Sequence, residues 1–161
     1  MAAIVPGLRV GNVLLVGLLA GVLVGILMVE TALLEVPASV YTAVQKPKHE
    51  IFEPIAVVYA LIVVSGIIVL ALSRREFRTA AFALTVAGML CLMASIVTTL
   101  LVNVPINAEI METWSVAHPP ADWAEVRDRW NLFHTIRTAL NAVAFLCLLL
   151  AATSSRNRAR A

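Results

Sequence analysis

Four side chains that could take part in chemistry recur at helical spacing near the C-terminal end of the sequence. Trp130, His134, Arg137 and Asn141 follow one another at intervals of four, three and four residues, which places them on one face of a helix. Histidine can exchange a proton near neutral pH, and arginine is a lasting cation suited to a carboxylate or an oxyanion. Because an arginine at membrane depth can hardly face lipid, the pattern predicts that this face points into a helix bundle.

Two further polar pairs stand four residues apart. Asn103 and Asn107 flank Pro105, which lacks a backbone donor and should disturb the end of its helix. The two amides could bind the carbonyls that the proline frees, or a ligand. If the segment from Pro47 is helical, His49 and Glu53 share one face and could hold a proton or a metal ion.

The elements that carry these residues are read from hydropathy. The chain has 161 residues, of which 61% are hydrophobic and only 14% charged, so water is not its main solvent. Runs free of charged residues cover 10–29, 54–73, 79–108 and 138–155, each long enough to cross a bilayer as a helix. We expect one domain over 1–161: an all-α, up-down-up-down transmembrane four-helix bundle with spans near 10–34, 53–73, 79–102 and 131–153. A short amphipathic surface helix is expected near 121–129.

Basic residues are concentrated at one end of this bundle. Lysine and arginine in short loops mark the cytoplasmic side, and seven arginines would share one side: Arg9, Arg74, Arg75, Arg78, Arg156, Arg158 and Arg160. We therefore predict both termini in the cytoplasm (N-in, C-in), in the cell membrane. All acidic residues except Glu76, and all three histidines, then fall at the extracytoplasmic end, which we expect to be the functional face.

Several features are interpreted as structural. Gly17, Gly21 and Gly25 recur every four residues and should allow close helix packing. Cys91 and Cys147 lie inside apolar runs and are expected to be buried thiols. The net charge of +2, with no basic patch among aromatic residues, argues against a nucleic-acid partner.

Three segments carry a family resemblance. Residues 103–107 read N-V-P-I-N, residues 120–123 read P-A-D-W, and residues 129–138 read R-W-N-L-F-H-T-I-R-T. They resemble the anthrone-oxygenase-like family of small four-span membrane proteins, whose pattern is roughly N-V-P-x-N, a loop, and W-x-x-x-H-x-x-R-T. The match falls on Asn103, Pro105, Asn107, Trp130, His134, Arg137 and Thr138. The resemblance implies oxidation of an anthrone or a similar electron-rich polycycle to a quinone by molecular oxygen.

The leading hypothesis is a membrane oxidoreductase that needs no cofactor. His134 would take a proton from an acidic C–H or phenol, and Arg137 would stabilise the resulting anion together with the amides of Asn103 and Asn107. Its hydrophobic substrate would occupy a pocket at the extracytoplasmic end of the bundle. We expect Trp130, Glu30, Glu53 and Asn141 to line that pocket.

Two alternatives stay open. A redox protein could bind iron, haem or copper through His49, His134 and Glu53. A non-enzymatic binding or assembly subunit, which could be a homo-oligomer, could use the same polar residues only to lock helices. Arg137 would then pair with Glu30, Glu53 or Glu109.

Overall fold

The structure is a computed structural model that describes the backbone of residues 4–158 and the side chains of residues 5–154. This part of the chain is helical and contains no strand. Its helices are α1 (Ile4–Ala32), α2 (Ala38–Phe52), α3 (Ile55–Leu72), α4 (Ala80–Thr98), α5 (Val104–Thr113) and α6 (Trp123–Arg158). A 3-10 turn at Arg74–Glu76 joins α3 to α4, and a π-helical segment, Thr99–Asn103, joins α4 to α5. Arg160 lies outside the described residues.

Four helical stretches are long and apolar enough to cross a membrane. They are Val5–Ala32, Ile55–Leu72, Ala80–Thr113 and Trp123–Ser154. Many large apolar side chains on them are exposed, as expected where lipid and not protein covers a helix. The predicted all-α fold with four spans is confirmed, and the chain is a small multi-pass membrane protein.

Contacts at the helix ends define how the spans run. Helix α1 packs against α3 and α6, and α4 packs against the same two helices. Near the start of α1, Arg9 donates hydrogen bonds to Ser73 (3.0 Å), which follows the end of α3, and to Glu76 (3.1 Å) in the 3-10 turn. Farther along, Asn12 donates to the carbonyl of Ile62 (3.0 Å). The beginning of α1 therefore lies beside the end of α3, so these two spans are antiparallel.

The third span departs from its predicted end at residue 102. Helical structure continues to Thr113, because Pro105 lies in the first turn of α5, where a missing backbone donor is tolerated. The ring of Pro105 would meet the carbonyl of Leu101 in a regular helix, and the wider π turn at this point provides room for it. Pro105 is thus absorbed without breaking the span.

The prediction of a separate surface helix over 121–129 is wrong. Residues from Trp123 form the start of α6, which runs without interruption for 36 residues. The reason is local: no proline or glycine occurs between Trp123 and Arg158, so nothing ends the helix at the membrane surface. Arg127 anchors this extension by donating to the carbonyl of Leu34 (2.8 Å).

The glycine stripe of α1 packs only at its first position. A Cβ at Gly17 would lie 2.9 Å from the ring of Phe145, whereas a Cβ at Gly21 or Gly25 would meet nothing within 4 Å. An α-helix has 3.6 residues per turn, so residues spaced by four are displaced around its axis by about 40° per step. The prediction that all three glycines serve packing was therefore wrong for Gly21 and Gly25.

Candidate functional site

The polar face of α6 points into the bundle, as predicted. Trp130 is 4% exposed, His134 0%, Arg137 7% and Asn141 0%. The ring of Trp130 stacks on that of His134, with centroids 4.7 Å apart and planes inclined by 14°. Spacing on the helix therefore indicated correctly which side chains of α6 come together.

His134 has both ring nitrogens engaged. Its Nδ1 accepts a hydrogen bond from Nε of Arg137 (2.9 Å). Because Arg137 Nε carries the hydrogen, His134 is neutral there and its proton lies on Nε2. That Nε2 lies 3.0 Å from the carbonyl oxygen of Leu23, to which it donates. The imidazole therefore connects Arg137 to the backbone of α1.

Arg137 has no carboxylate partner in the part of the chain whose side chains are described. The ion pairs found there are Arg9–Glu76, Lys48–Glu30 and Arg127–Asp128. Beyond its bond to His134, Arg137 donates through Nη1 to Thr99 in the π-helical segment (3.3 Å). The expected pairing of Arg137 with Glu30, Glu53 or Glu109 is wrong, because Glu30 is engaged by α2 and no such ion pair forms.

The asparagines have different surroundings. Asn107 accepts a hydrogen bond from Nε1 of Trp130 (2.8 Å), and Asn103 donates to the carbonyl oxygen of the same residue (3.2 Å). Asn141 donates to Ser95 (2.6 Å) and to the carbonyl of Arg137 (2.8 Å). Asn103 and Asn141 are fully buried, so they hold α6 against the third span.

A cluster on α2 adds a second cation that the sequence analysis did not single out. Glu30 is fully buried and is contacted by Tyr41 (3.3 Å), Gln45 (3.3 Å) and Lys48, whose Nζ forms an ion pair with it. The Nζ of Lys48 also lies 4.6 Å from the centre of the Trp130 ring. The available signal was the spacing of residues 41, 45 and 48, which form one helical stripe.

Electrostatics distinguish two members of this cluster. Burial lowers the pKa of Lys48, Glu30 opposes this shift, and the nearby charge of Arg137 adds to it. Burial also raises the pKa of Tyr41 above its usual range, and the charge of Glu30 acts in the same direction. Tyr41 therefore remains a neutral donor to Glu30, while Lys48 lies in a poorly hydrated site.

These groups surround one end of a cavity of about 790 Å³ between α1, α2, α3, the third span and α6. Much of its wall is apolar, and its polar lining is formed by Gln45, Lys48, His49, Glu53, Tyr59, Thr99, Asn107, Trp130 and Arg137. The cavity thus brings together five of the residues predicted for the pocket or the site: His49, Glu53, Asn107, Trp130 and Arg137. Glu30, Asn103, His134 and Asn141 lie behind the wall and do not line it.

The expected metal ligands do not assemble. His49 lines the cavity, whereas His134 does not, and both nitrogens of His134 are engaged. Within the described residues, no group of three or more His, Cys, Asp or Glu side chains could hold a metal ion. The residues present therefore do not fit the iron, haem or copper site that His49, His134 and Glu53 were expected to form.

Fold and site together define a four-span membrane protein with a largely apolar cavity and a cationic end. The anthrone oxygenase family model matches residues 48–147, which is more than half of the chain and includes α2's Lys48 as well as the motifs of the third span and α6. The chain belongs to this family, and the membership indicates an oxygenase-like function at the level of the family. Neither the curated proteins nor the solved structures contain a significant match.

Proposed function

We propose that this protein is a membrane oxygenase that binds a hydrophobic aromatic substrate in the cavity and oxidises it with molecular oxygen. The observation that carries the proposal is Arg137: a buried guanidinium that lines a largely apolar cavity and has no carboxylate partner among the described side chains. A buried cation needs a partner of opposite charge. An ionised oxygen of the substrate provides it.

The second support is the arrangement around Arg137. Lys48 lines the same cavity, and both cations lie near the Trp130 ring, Lys48 Nζ at 4.6 Å and Arg137 Cζ at 5.5 Å from its centre. Two preorganised cations in a site of low dielectric stabilise an enolate or phenolate strongly. His134 acts through Arg137 by accepting from its Nε, so we assign it a positioning role instead of the proton transfer first considered.

The proton acceptor proposed here is His49. It lines the cavity, and its imidazole makes no hydrogen bond within the described part of the chain, so the ring is free to accept a proton. The substrate loses a C–H proton to His49, and the resulting anion passes electrons to O2. A hydroperoxide forms and eliminates water: one oxygen atom becomes the new carbonyl, and the other leaves as water with the two hydrogens of the former CH2 group.

We place this site at the extracytoplasmic face of the cell membrane. The arginines of the link between α3 and α4, Arg74, Arg75 and Arg78, lie at the opposite end of the bundle from Trp130 and favour the cytoplasmic side.

The proposal is tested by oxygen consumption of the purified protein in nanodiscs with an anthrone as substrate. One quinone should form per O2 consumed. Arg137→Gln should lower kcat/KM by about a hundredfold or more, in line with the loss of an anion-stabilising donor. Arg129→Gln, an exposed change on the same helix, is the matched control. Oxygen uptake that is unaffected by Arg137→Gln would contradict the proposal.

The roles of the two histidines are separated by conservative changes. The amide oxygen of Gln can replace His134 Nδ1 as an acceptor, so His134→Gln should keep most activity while His134→Leu raises KM. His49→Gln should instead lower kcat and leave KM nearly unchanged. If His134→Gln lowers kcat with KM unchanged and His49→Gln is fully active, His134 is the base.

A further inference from the structure

The cavity reaches the side of the bundle as well as its polar end. Helix α3 packs mainly against α1 and α4. The N-terminal half of α3 forms one wall of the cavity, to which the π-helical segment Thr99–Asn103 also contributes. A gap lies between α3 and the third span, and residues on both of its sides line the cavity and are exposed. They are Val64 (56%) on α3, and Met93 (43%), Leu100 (58%) and Val104 (45%) on the third span.

These rim residues belong to the surface that faces the bilayer. On α3 the exposed face of Val64 continues with Ile67 (57%) and Ile68 (42%), which do not line the cavity. On the third span Leu100 is followed by Leu101 (71%), which also lies outside the cavity. The gap therefore opens from the acyl-chain region, and its rim consists of apolar side chains.

We propose that the substrate enters sideways from the bilayer through this gap, which we call the lateral opening (Ala60, Val64, Met93, Leu100 and Val104). The inference rests on the proposed function and narrows its substrate class. The ligand is a flat polycycle dissolved in lipid, with one acidic oxygen and no large polar substituent.

Charge and size complementarity support this occupant. The rim consists of apolar side chains, while the far end of the cavity presents Arg137 and Lys48, so a molecule apolar at one edge and anionic at the other matches both ends. A cavity of about 790 Å³ lies within the range that encloses an organic ligand of several rings. A lipid tail matches the rim but leaves Arg137 without an anion.

Entry from lipid is tested by fluorescence of Trp130, which lines the cavity. In a Trp114→Phe, Trp123→Phe background Trp130 is the remaining tryptophan. A nitroxide quencher dissolved in the vesicle lipid should quench it, and Val64→Phe, which narrows the opening, should lower the quenching constant by about threefold or more. Val57→Phe is the matched control, because Val57 is 61% exposed on the same helix and does not line the cavity.

A second measurement needs no tryptophan removal. With an anthrone supplied in vesicles, Val64→Phe should raise KM severalfold while kcat and the Val57→Phe control stay unchanged. If aqueous iodide quenches Trp130 and the lipid quencher does not, or if Val64→Phe changes neither readout, the lateral opening is refuted. Normal lipid quenching without any turnover by the parent protein would instead refute the proposed function and leave the opening in place.

Discussion

Because the side chain that accepts from Arg137 Nε is a neutral histidine, it does not balance the charge of the guanidinium. A carboxylate would hold the guanidinium equally well, but it would cancel the positive charge that the cavity presents. His134 accepts from Nε and leaves the charge intact, while Nη1 donates to Thr99. Lys48 differs in this respect, because Glu30 already balances its charge. Arg137 is therefore the residue on which an anionic ligand should depend most.

The buried phenol of Tyr41 predicts a specific loss of stability in alkali. Its pKa is raised in the folded protein, while an unfolded tyrosine ionises at pH ~10. The stabilisation is complete below that pH and is lost as the pH rises above it, because only the unfolded state then releases the proton. Thermal unfolding in detergent from pH 8 to 11.5 should show a shallower alkaline decline for Tyr41→Phe than for the parent.

The matched comparison for this effect is the phenol on α3. Tyr59→Phe also removes a hydroxyl, which lies 3.3 Å from the Ser95 hydroxyl and accepts from Asn141 at 3.3 Å, but it leaves Glu30 untouched. At neutral pH each substitution should lower the free energy of unfolding by about 1 kcal/mol. An identical alkaline decline in Tyr41→Phe and the parent would show that Tyr41 does not control it.

Individual site residues were predictable where a regular helix carried them. The intervals on α6 identified four inward side chains, since a helix face follows from spacing alone. The stripe of Tyr41, Gln45 and Lys48 was missed because proline occurs before and inside its segment, which is typical of a loop. Helix α2 contains Pro47 nevertheless, because its contacts with the buried Glu30 hold it against the bundle.

Among the elements, the π-helical segment Thr99–Asn103 is the one most closely tied to the cavity. It carries Thr99, which contacts Arg137, and Leu100 at the lateral opening. A π turn holds one residue more than an α turn, so removing one residue restores a regular helix without rotating the flanks. Deletion of Leu101 should therefore keep the register of the flanking helices and lower the melting temperature only through the contact of the Pro105 ring with the preceding turn, while it lowers turnover by about tenfold or more.

A deletion elsewhere in the same span provides the contrast. Leu90 is about as exposed as Leu101, 64% against 71%, but it lies in regular α-helix. Its removal rotates all that follows by about 100° and turns buried side chains outward. The Leu90 deletion should unfold at a clearly lower temperature. Equal destabilisation by both deletions would show that the π turn is not a tolerated insertion.

Helix packing depends on a glycine that the sequence pattern did not indicate. A Cβ at Gly88 of α4 would lie 2.9 Å from Leu148 and 3.2 Å from the backbone oxygen of Ala144 on α6. Gly88→Ala should therefore destabilise the protein by about 1–3 kcal/mol, because the two helices must separate. Gly21→Ala meets open space and should be neutral or slightly stabilising. Chemical denaturation in mixed micelles measures both, and equal effects would contradict this packing.

Hydropathy located the spans because each must be apolar for its whole length, but it did not locate their true ends. Predicted ends fell short where a helix continues beyond its apolar run, as α6 does from Trp123 and the third span does to Thr113. Polar residues can continue a helix, so the composition of the sequence changes at these positions while the helical backbone does not. Close contacts between helices, such as the one at Gly88, also depend on helix placement that spacing alone cannot give.

The two ends of the molecule satisfy their buried polar groups in opposite ways. At one end Arg9 reaches Ser73 and Glu76, and the space beside it is a void of about 10 Å³, too small for a ligand. At the other end Arg137 has no carboxylate partner among the described side chains and borders a cavity of about 790 Å³. One end is therefore closed by its own residues, and the other is organised to receive a molecule.

Which of these ends faces the cytoplasm is predicted by the distribution of arginine. Arg74, Arg75 and Arg78 lie in the short link between α3 and α4, at the closed end. Basic residues in short loops are retained on the cytoplasmic side during insertion. A cysteine in the loop between α5 and α6 should therefore react with a membrane-impermeant maleimide on intact cells, and one in the α3–α4 link should not.

Suitable positions are Val116, which is 51% exposed in the outer loop, and Phe77, which is 62% exposed in the link. Each is changed to cysteine after Cys91 and Cys147 are replaced by alanine. The Val116→Cys variant should be labelled in intact cells, and the Phe77→Cys variant only after permeabilisation. Val57→Cys, on the exposed apolar face of α3, should resist labelling in both conditions because lipid covers it. The reverse pattern at Val116 and Phe77 would place the cationic end of the cavity in the cytoplasm, so that His49 would exchange its proton with that compartment.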